Sequence, residues 1–380
     1  SGPDGKLVLT KPREPIKDID SLPWPDFDGF GLDENFGQLL SSDSACYDLF
    51  DYPRVYPIIT SRSCPFLCTF CFHPIGNKYR QRSIPNVIYD ELFANNKARV
   101  TEFCKQIKQL IKTIPWEVKW NCQMRVDKID DELVEMMKDA GCYYFSLGLE
   151  SYSDTVLKSM KKMITPQQID KTIQVTRRHH ITIQGNFIFG DVAETRETAQ
   201  ETLNYWKKNI GYQGGISLTF IQPYPGTALY HHCIEKGHIK DEIDFIKNHL
   251  SDPINMSNTM TEQEFNQLKI DFYDATMNYP KYVEPLLITQ NNGIPELHVK
   301  CPYCNKISIY RNYVFDIERF FYGAKDITCR NCRYRFFIIG FRFKIELMMV
   351  RAIGAQNMYL IKESIKIFVN KLKPGTFPPS

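Results

Sequence analysis

The chain has 380 residues, 43% hydrophobic and 24% charged, with a formal net charge of +3. That mixture buries a core and excludes a disordered chain, and because Lys and Arg alternate with Asp and Glu nothing in the totals calls for a nucleic-acid partner. No stretch reaches about 18 apolar residues and Ser1-Gly2-Pro3-Asp4-Gly5 is not a charged secretory start, so a cytoplasmic protein of two or three packed units is expected.

Residues 1–56 carry prolines and acidic turns without a helical period and read as an extended arm that wraps a neighbouring unit. A short β-branched run, Arg54 to Thr60, then leads into a loop with Cys64, Cys68 and Cys71. Beyond it, helical and strand-like stretches alternate. Helix is expected over 96–113, 130–140, from about 153, over 166–179 and over 195–209; strand is expected over 117–123, 143–148, 181–190 and 215–221. This alternation points to parallel βα units over residues 57–236, with the chemistry at the strands' C-terminal ends. Residues 237–295 read as a mostly helical connector, with 261–279 its best helix. Residues 296–341 form a cysteine-bearing module, and 342–380 a final helix or helix pair. The basic, apolar stretch from Phe343 to Lys373 is assigned to packing on that module, in preference to a membrane surface.

The chain contains 12 cysteines, and seven of them fall into two tight clusters, which favours metal ligation in a reducing compartment over a disulfide framework. The first cluster, Cys64-Pro65-Phe66-Leu67-Cys68-Thr69-Phe70-Cys71, places three thiolates in one loop. A cubane iron-sulfur cluster normally takes four, so one iron is left open. A zinc knuckle is the bland alternative. The second cluster pairs Cys301 and Cys304 with Cys329 and Cys332, two CxxC knuckles with zinc-ribbon spacing, although four thiolates also suit an auxiliary iron-sulfur cluster. Arg311, Arg319, Arg330, Arg333, Arg335 and Arg342 make this module basic, and a solvated basic face is favoured over a nucleic-acid surface.

The CxxxCxΦC loop, with Phe70 at the aromatic position, resembles the signature of the radical S-adenosylmethionine (radical SAM) superfamily. The resemblance implies a partial (β/α)6 TIM-like barrel, a 4Fe-4S cluster on Cys64, Cys68 and Cys71, S-adenosylmethionine on the open iron, and a 5′-deoxyadenosyl radical released by an electron from a flavodoxin- or ferredoxin-type donor. It also implies that Arg125, in Asn121 to Asp127, meets the S-adenosylmethionine carboxylate and that Glu150, in Leu147 to Ser151, lies near the ribose or the methionine amine. Gly190, closing Gly185 to Gly190, lets backbone approach the cofactor; the bland readings are a surface ion pair, a helix-capping acid and a tight turn. A polar structural contact is the favoured reading of His73.

Leu22-Pro23-Trp24-Pro25, Arg82-Ser83, Tyr89 to Phe93 and Tyr224 to Tyr230 are similar to the cobalamin-associated branch of that superfamily. That branch implies a C-methyltransferase acting on a small-molecule substrate, with cobalamin as second cofactor. An oxidative cyclase or rearrangement enzyme is the alternative on the same core, and a zinc-ribbon adaptor binding protein or nucleic acid the alternative of another class. Between Arg82 and Phe93 the chain is roughly twenty residues too short for the βα unit that usually carries a second strand.

Overall fold

The computed structural model describes residues 13–36, 38–43, 48–55, 61–73, 76–83, 96–210, 215–250, 252–315 and 323–372. A short helix α1 (Leu32–Phe36) interrupts the arm. Strands β1 (Ser61–Arg62) and β2 (Arg80–Gln81) pair antiparallel. The βα unit then runs α2 (Lys97–Ile111), β3 (Trp120–Met124), α3 (Asp131–Asp139), β4 (Cys142–Glu150), α4 (Asp154–Ser159), α5 (Pro166–Arg178), β5 (Thr182–Phe189), α6 (Arg196–Asn209) and β6 (Ile216–Phe220). Short helices α7 (Ala228–Glu235) and α8 (Glu242–Asp244) lead to α9 (Glu262–Asn278).

The expected alternation is present: β3, β4, β5 and β6 form one parallel sheet in that order. Of the six strands of the implied barrel, these four lie among the described residues. Most of the run expected as a first strand (residues 56–60) and most of the short stretch where a second would belong (84–95) lie outside them. Local signals set the boundaries. Asn96, Asp130, Thr165, Thr195 and Thr261 each cap the following helix by accepting a backbone N–H, which satisfies a donor the helix itself cannot.

A parallel sheet covered on both faces reads as continuous apolar runs, but here the strands alternate. Phe145, Leu147, Ile183, Phe187 and Leu218 face a core completed by Leu133, Met137, Ile169, Ile173, Leu203 and Trp206. The opposite face carries Gln123, Ser146, Gln184, Asn186, Ser217 and Thr219, with Asn186, Ser217 and Thr219 exposed. Period-2 burial within a βα unit therefore marks a polar cleft lined by one side of the sheet.

The C-terminal module holds β7 (Tyr282–Val283), β8 (Leu287–Asn291), β9 (Ile294–Lys300), β10 (Ile307–Arg311), β11 (Ala324–Thr328) and β12 (Arg335–Ile339), followed by α10 (Phe341–Ile353) and α11 (Ala355–Leu372). Its two three-stranded sheets are ordered β10-β9-β8 and β11-β12-β7. Strands β7 and β8 lie in the stretch read from sequence as helical connector, and they pair with β12 and β9. Phe343, Leu347 and Val350 of α10 and Met358 of α11 pack with Ile339 of β12 and Met277 of α9, so the final helices join the module to the barrel unit.

The arm grips both ends of the molecule. Asp20 accepts from Ser83 N at 3.0 Å, and Arg82 donates to Leu22 O at 3.0 Å while stacking over Trp24. Farther along, Ser41 N donates to Asn312 O at 2.8 Å and Asp48 Oδ2 accepts from Thr328 N at 3.1 Å.

Candidate active site

The three-cysteine loop sits beyond the C-terminal ends of the strands, where βα units expose their loops. Thr69 N donates to Met160 O at 3.1 Å, tying the loop to the turn after α4, and Leu229 N donates to Thr69 O at 3.4 Å, tying it to the segment after β6. Phe70 packs on the apolar cluster of Val156, Met160, Ile221 and Leu229 beneath the loop. Cys64 is half-buried, Cys68 buried and Cys71 exposed. A hydrogen bond from Cys71 draws the Cys68 thiol down to about 7, with burial opposing and Lys162 assisting. The same bond, followed by burial, pushes Cys71 up, and burial pushes Cys64 up. His73 keeps a buried Nε2 and Thr69 a buried Oγ1 with no partner among the described residues, polar atoms that a group bound at this loop can satisfy.

Arg125 and Glu150 both converge on this loop. Arg125 is buried, donating from Nε to Asp127 at 2.9 Å and from Nη2 to Lys162 O at 2.9 Å, with its guanidinium 3.6 Å above the Phe66 ring. It thus clamps the 162–163 turn against the cysteine loop. Glu150 ends β4 with φ +61 and pairs with Lys162 Nζ at 2.5 Å. A Cβ on Gly148 would stand 2.4 Å from Glu150 Oε1 and 2.5 Å from Lys162 Nζ, so the glycine leaves room for the pair to fold across the strand, and a larger residue would displace the ends of these two side chains. Ser63, Lys161 and Met163 also have φ between 53° and 64°, a concentration of left-handed residues expected where a site is held against local preference. Lys162 is the residue that sequence reasoning missed. Its only signal is position, one of two lysines just before the Thr165 helix cap.

Gly190 has φ +101 and donates its N–H to Glu194 Oε2 at 2.5 Å, which engages that amide within the protein. Glu194 is fully buried, its other oxygen has no partner among the described residues, and burial pushes its carboxyl up to about 8, the Gly190 N–H opposing and Asp191 adding to the rise.

The second cluster is a separate centre. Cys301 and Cys304 lie in the β9–β10 turn, Cys329 and Cys332 in the β11–β12 turn, and all four Sγ atoms lie within 4.8 Å of one another. Cys301 and Cys332 are 3.7 Å apart, Cys304 and Cys329 3.8 Å. Four thiolates at the usual zinc-sulfur distance form a tetrahedron with an edge of about 3.8 Å. The knuckles match: Asn305 N returns to Cys301 O and Arg333 N to Cys329 O, each at 3.0 Å, with Asn305 and Arg333 left-handed. The Sγ atoms of Cys64, Cys68 and Cys71 do not form such a tight group. A cubane spreads its ligands over its corners and needs no single-ion spacing.

Comparison with known proteins finds partial matches. Residues 96–205 match the radical SAM superfamily. The chain is 27% identical over 298 residues to an uncharacterised methyltransferase of Pyrococcus horikoshii, covering 73% of this chain and 60% of that protein. It is 28% identical over 221 residues to the bacteriochlorophyllide d C-8(2)-methyltransferase of Chlorobaculum tepidum, covering 50% and 47%. Among solved structures, the radical SAM methyltransferase TsrM of Kitasatospora setae aligns with a TM-score of 0.43 at 18% identity, covering 47% of this chain and 36% of that one. The chain thus spans about half to three-fifths of the length of these curated relatives. Among the described residues, no helix is long and apolar enough to cross a membrane.

Proposed function

From the premise that this chain carries a radical SAM domain, which implies a 4Fe-4S cluster and S-adenosylmethionine, we propose that Cys64, Cys68 and Cys71 hold the cluster and that the protein methylates carbon on a small-molecule substrate. The observation that carries the reading is the placement of the three-cysteine loop at the strand ends, tied to a turn that brings Arg125, Glu150 and Lys162 beside it. Cys64, Cys68 and Cys71 would hold the cluster, with S-adenosylmethionine beside Arg125 and Glu150, and together these groups would supply 5′-deoxyadenosyl radical chemistry. The chain's own residues do the rest. Arg125 and Lys162 assist the Cys71 hydrogen bond in drawing the Cys68 thiol down, Arg125 suits the S-adenosylmethionine carboxylate, and Glu150 offers an acceptor for an amine or hydroxyl. Gly190 holds the turn after β5, and the polar face of the sheet lines the space beneath.

Methyl transfer is supported by the methyltransferases among the relatives, and cobalamin as second cofactor by the likeness of the arm and turn motifs to the cobalamin-associated branch. The matched spacing of the four ribbon thiolates supports zinc at Cys301, Cys304, Cys329 and Cys332, a structural site because all four positions are filled by protein. An adaptor role for the ribbon finds little support, since Arg311, Arg330 and Arg335 are already paired with Glu296, Asp51 and Asp326 respectively. A reducing cytoplasm and a flavodoxin- or ferredoxin-type donor complete the proposal.

Anaerobic reconstitution tests it. Wild type should hold about four iron and about one zinc per chain, and Cys64→Ala should lose the iron, keep the zinc and make no 5′-deoxyadenosine. Iron retained in the variant would overturn the ligand assignment. Formation of 5′-deoxyadenosine without any methylated product, cobalamin being supplied, would replace methyl transfer with cyclase-type hydrogen abstraction.

A further inference from the structure

A cavity of about 1120 Å³ runs along the free edge of β6, walled by α9 and α11 on one side and by β7 and β12 of the ribbon on the other. Its size reaches the upper end of small-molecule sites, which span about 300–1,000 Å³. Phe220, Phe272, Tyr273, Tyr282, Phe337 and Phe343 give it a broad aromatic lining. Gln184 and Ser217 also line it, so one wall is formed by the polar face of the sheet.

The charges lining the cavity are mostly matched: Arg335 with Asp326, Lys362 with Glu346, and Lys366 with Asp252. Lys269 and one N–H of Arg335 are left as donors, with Glu363 the one lining carboxylate that has no ion pair among the described residues. Arg335 is 7% exposed, gives Nη1 to Tyr144 OH at 3.4 Å, and keeps a buried Nε–H with no acceptor among the described residues. Lys269 has no carboxylate within ion-pair distance among the described residues. Its ammonium donates to Asn266 at 3.2 Å and lies 4.7 Å from the Phe265 ring. Burial lowers its affinity for the proton, against the longer-range pull of Glu262, Glu363 and Asp252. An unmatched ammonium and an orphaned guanidinium N–H in an aromatic slot form a recognisable donor set. A flat, multi-ring ligand fills the slot, and anionic groups on its rim satisfy the donors.

We propose that this cavity binds a planar, multi-ring carboxylic acid, with its carboxylates on Lys269 and Arg335 and its other edge facing the polar face of the sheet. This names a substrate class for the proposed enzyme and rests on that reading only for the chemistry after binding. Binding itself requires neither cluster nor S-adenosylmethionine, so it is measured on the cluster-free chain and can fail independently of 5′-deoxyadenosine formation.

The probe is protoporphyrin IX, a flat macrocyclic dicarboxylate, titrated by absorbance and tryptophan quenching beside its uncharged dimethyl ester. Wild type should bind the acid about tenfold more tightly than the ester, and Lys269→Gln should remove that preference. Thr276→Trp, which fills the slot from α9 without opening a void, should abolish binding of both. Equal affinity for acid and ester would overturn the proposal. So would binding that Thr276→Trp leaves unchanged, which would mean adsorption to exposed apolar residues such as Met348 and Ile365.

Discussion

Lys162 is a residue whose weight comes from its surroundings. Its side chain is 11% exposed and that of Glu150 9%, so the pair is shielded from solvent screening. Removing one partner leaves a buried charge uncompensated. Lys162→Met should therefore cost about 3 kcal/mol by urea denaturation, and the double substitution with Glu150→Gln should recover most of it. An unchanged midpoint in the single variant would show that the pair is solvated in solution. Glu194 supplies a second prediction. Its carboxyl titrates near 4.5 unfolded and about 8 folded, so within that window the folded chain holds a proton that the unfolded chain has released. Stability should then fall as pH rises through the window and level off above it, and Glu194→Gln should flatten the slope. The cysteines were legible in the sequence because their chemistry fixes their spacing. Lys162 and Glu194 were not, because their roles depend on a left-handed turn and on burial, which no spacing reports.

At the scale of elements, the βα alternation was readable because the helices carry caps and a period and the strands alternate. Strand β8 was missed: Leu287 to Asn291 is half polar, and helix was expected through the region. The signal was there in Asn292-Gly293, whose φ values of +50 and +81 close the hairpin to β9, the strongest short-range hairpin cue in a sequence. The ribbon's arginines also read differently in three dimensions. Arg330, inside the second knuckle, donates to Asp48 O at 3.1 Å, Asp51 Oδ1 at 2.7 Å and Ile309 O at 3.1 Å, and stacks on Tyr310. It holds the arm. Arg330→Gln should leave zinc content unchanged yet raise amide exchange across residues 48–51, and full protection in the variant would remove the arginine from that role.

At the scale of the molecule, the four-cysteine centre and the arm form one mechanical unit. Thr328, next to Cys329, donates to Asp48, and Asp51 is thirteen residues ahead of Cys64. Stripping the proposed zinc from the four cysteines with a chelator should loosen residues 38–43 and 48–51 as well as the knuckles, while α5 and α6 keep their protection; hydrogen exchange reads both. A protected arm over a disordered ribbon would separate the two.

The partners of this clamp lie about 280 residues apart in sequence. At translation rates of about 5 to 20 residues per second, the arm emerges from the ribosome roughly 15 to 60 seconds before the strand it will hold. During that wait Asp48 and Asp51 have no partner to hold them. Residues 13–55 carry ten acidic against three basic side chains, a strong like-charge excess that keeps a waiting segment apart from its neighbours in a polysome. The acidity that later pairs Asp51 with Arg330 would first serve as protection for a nascent chain.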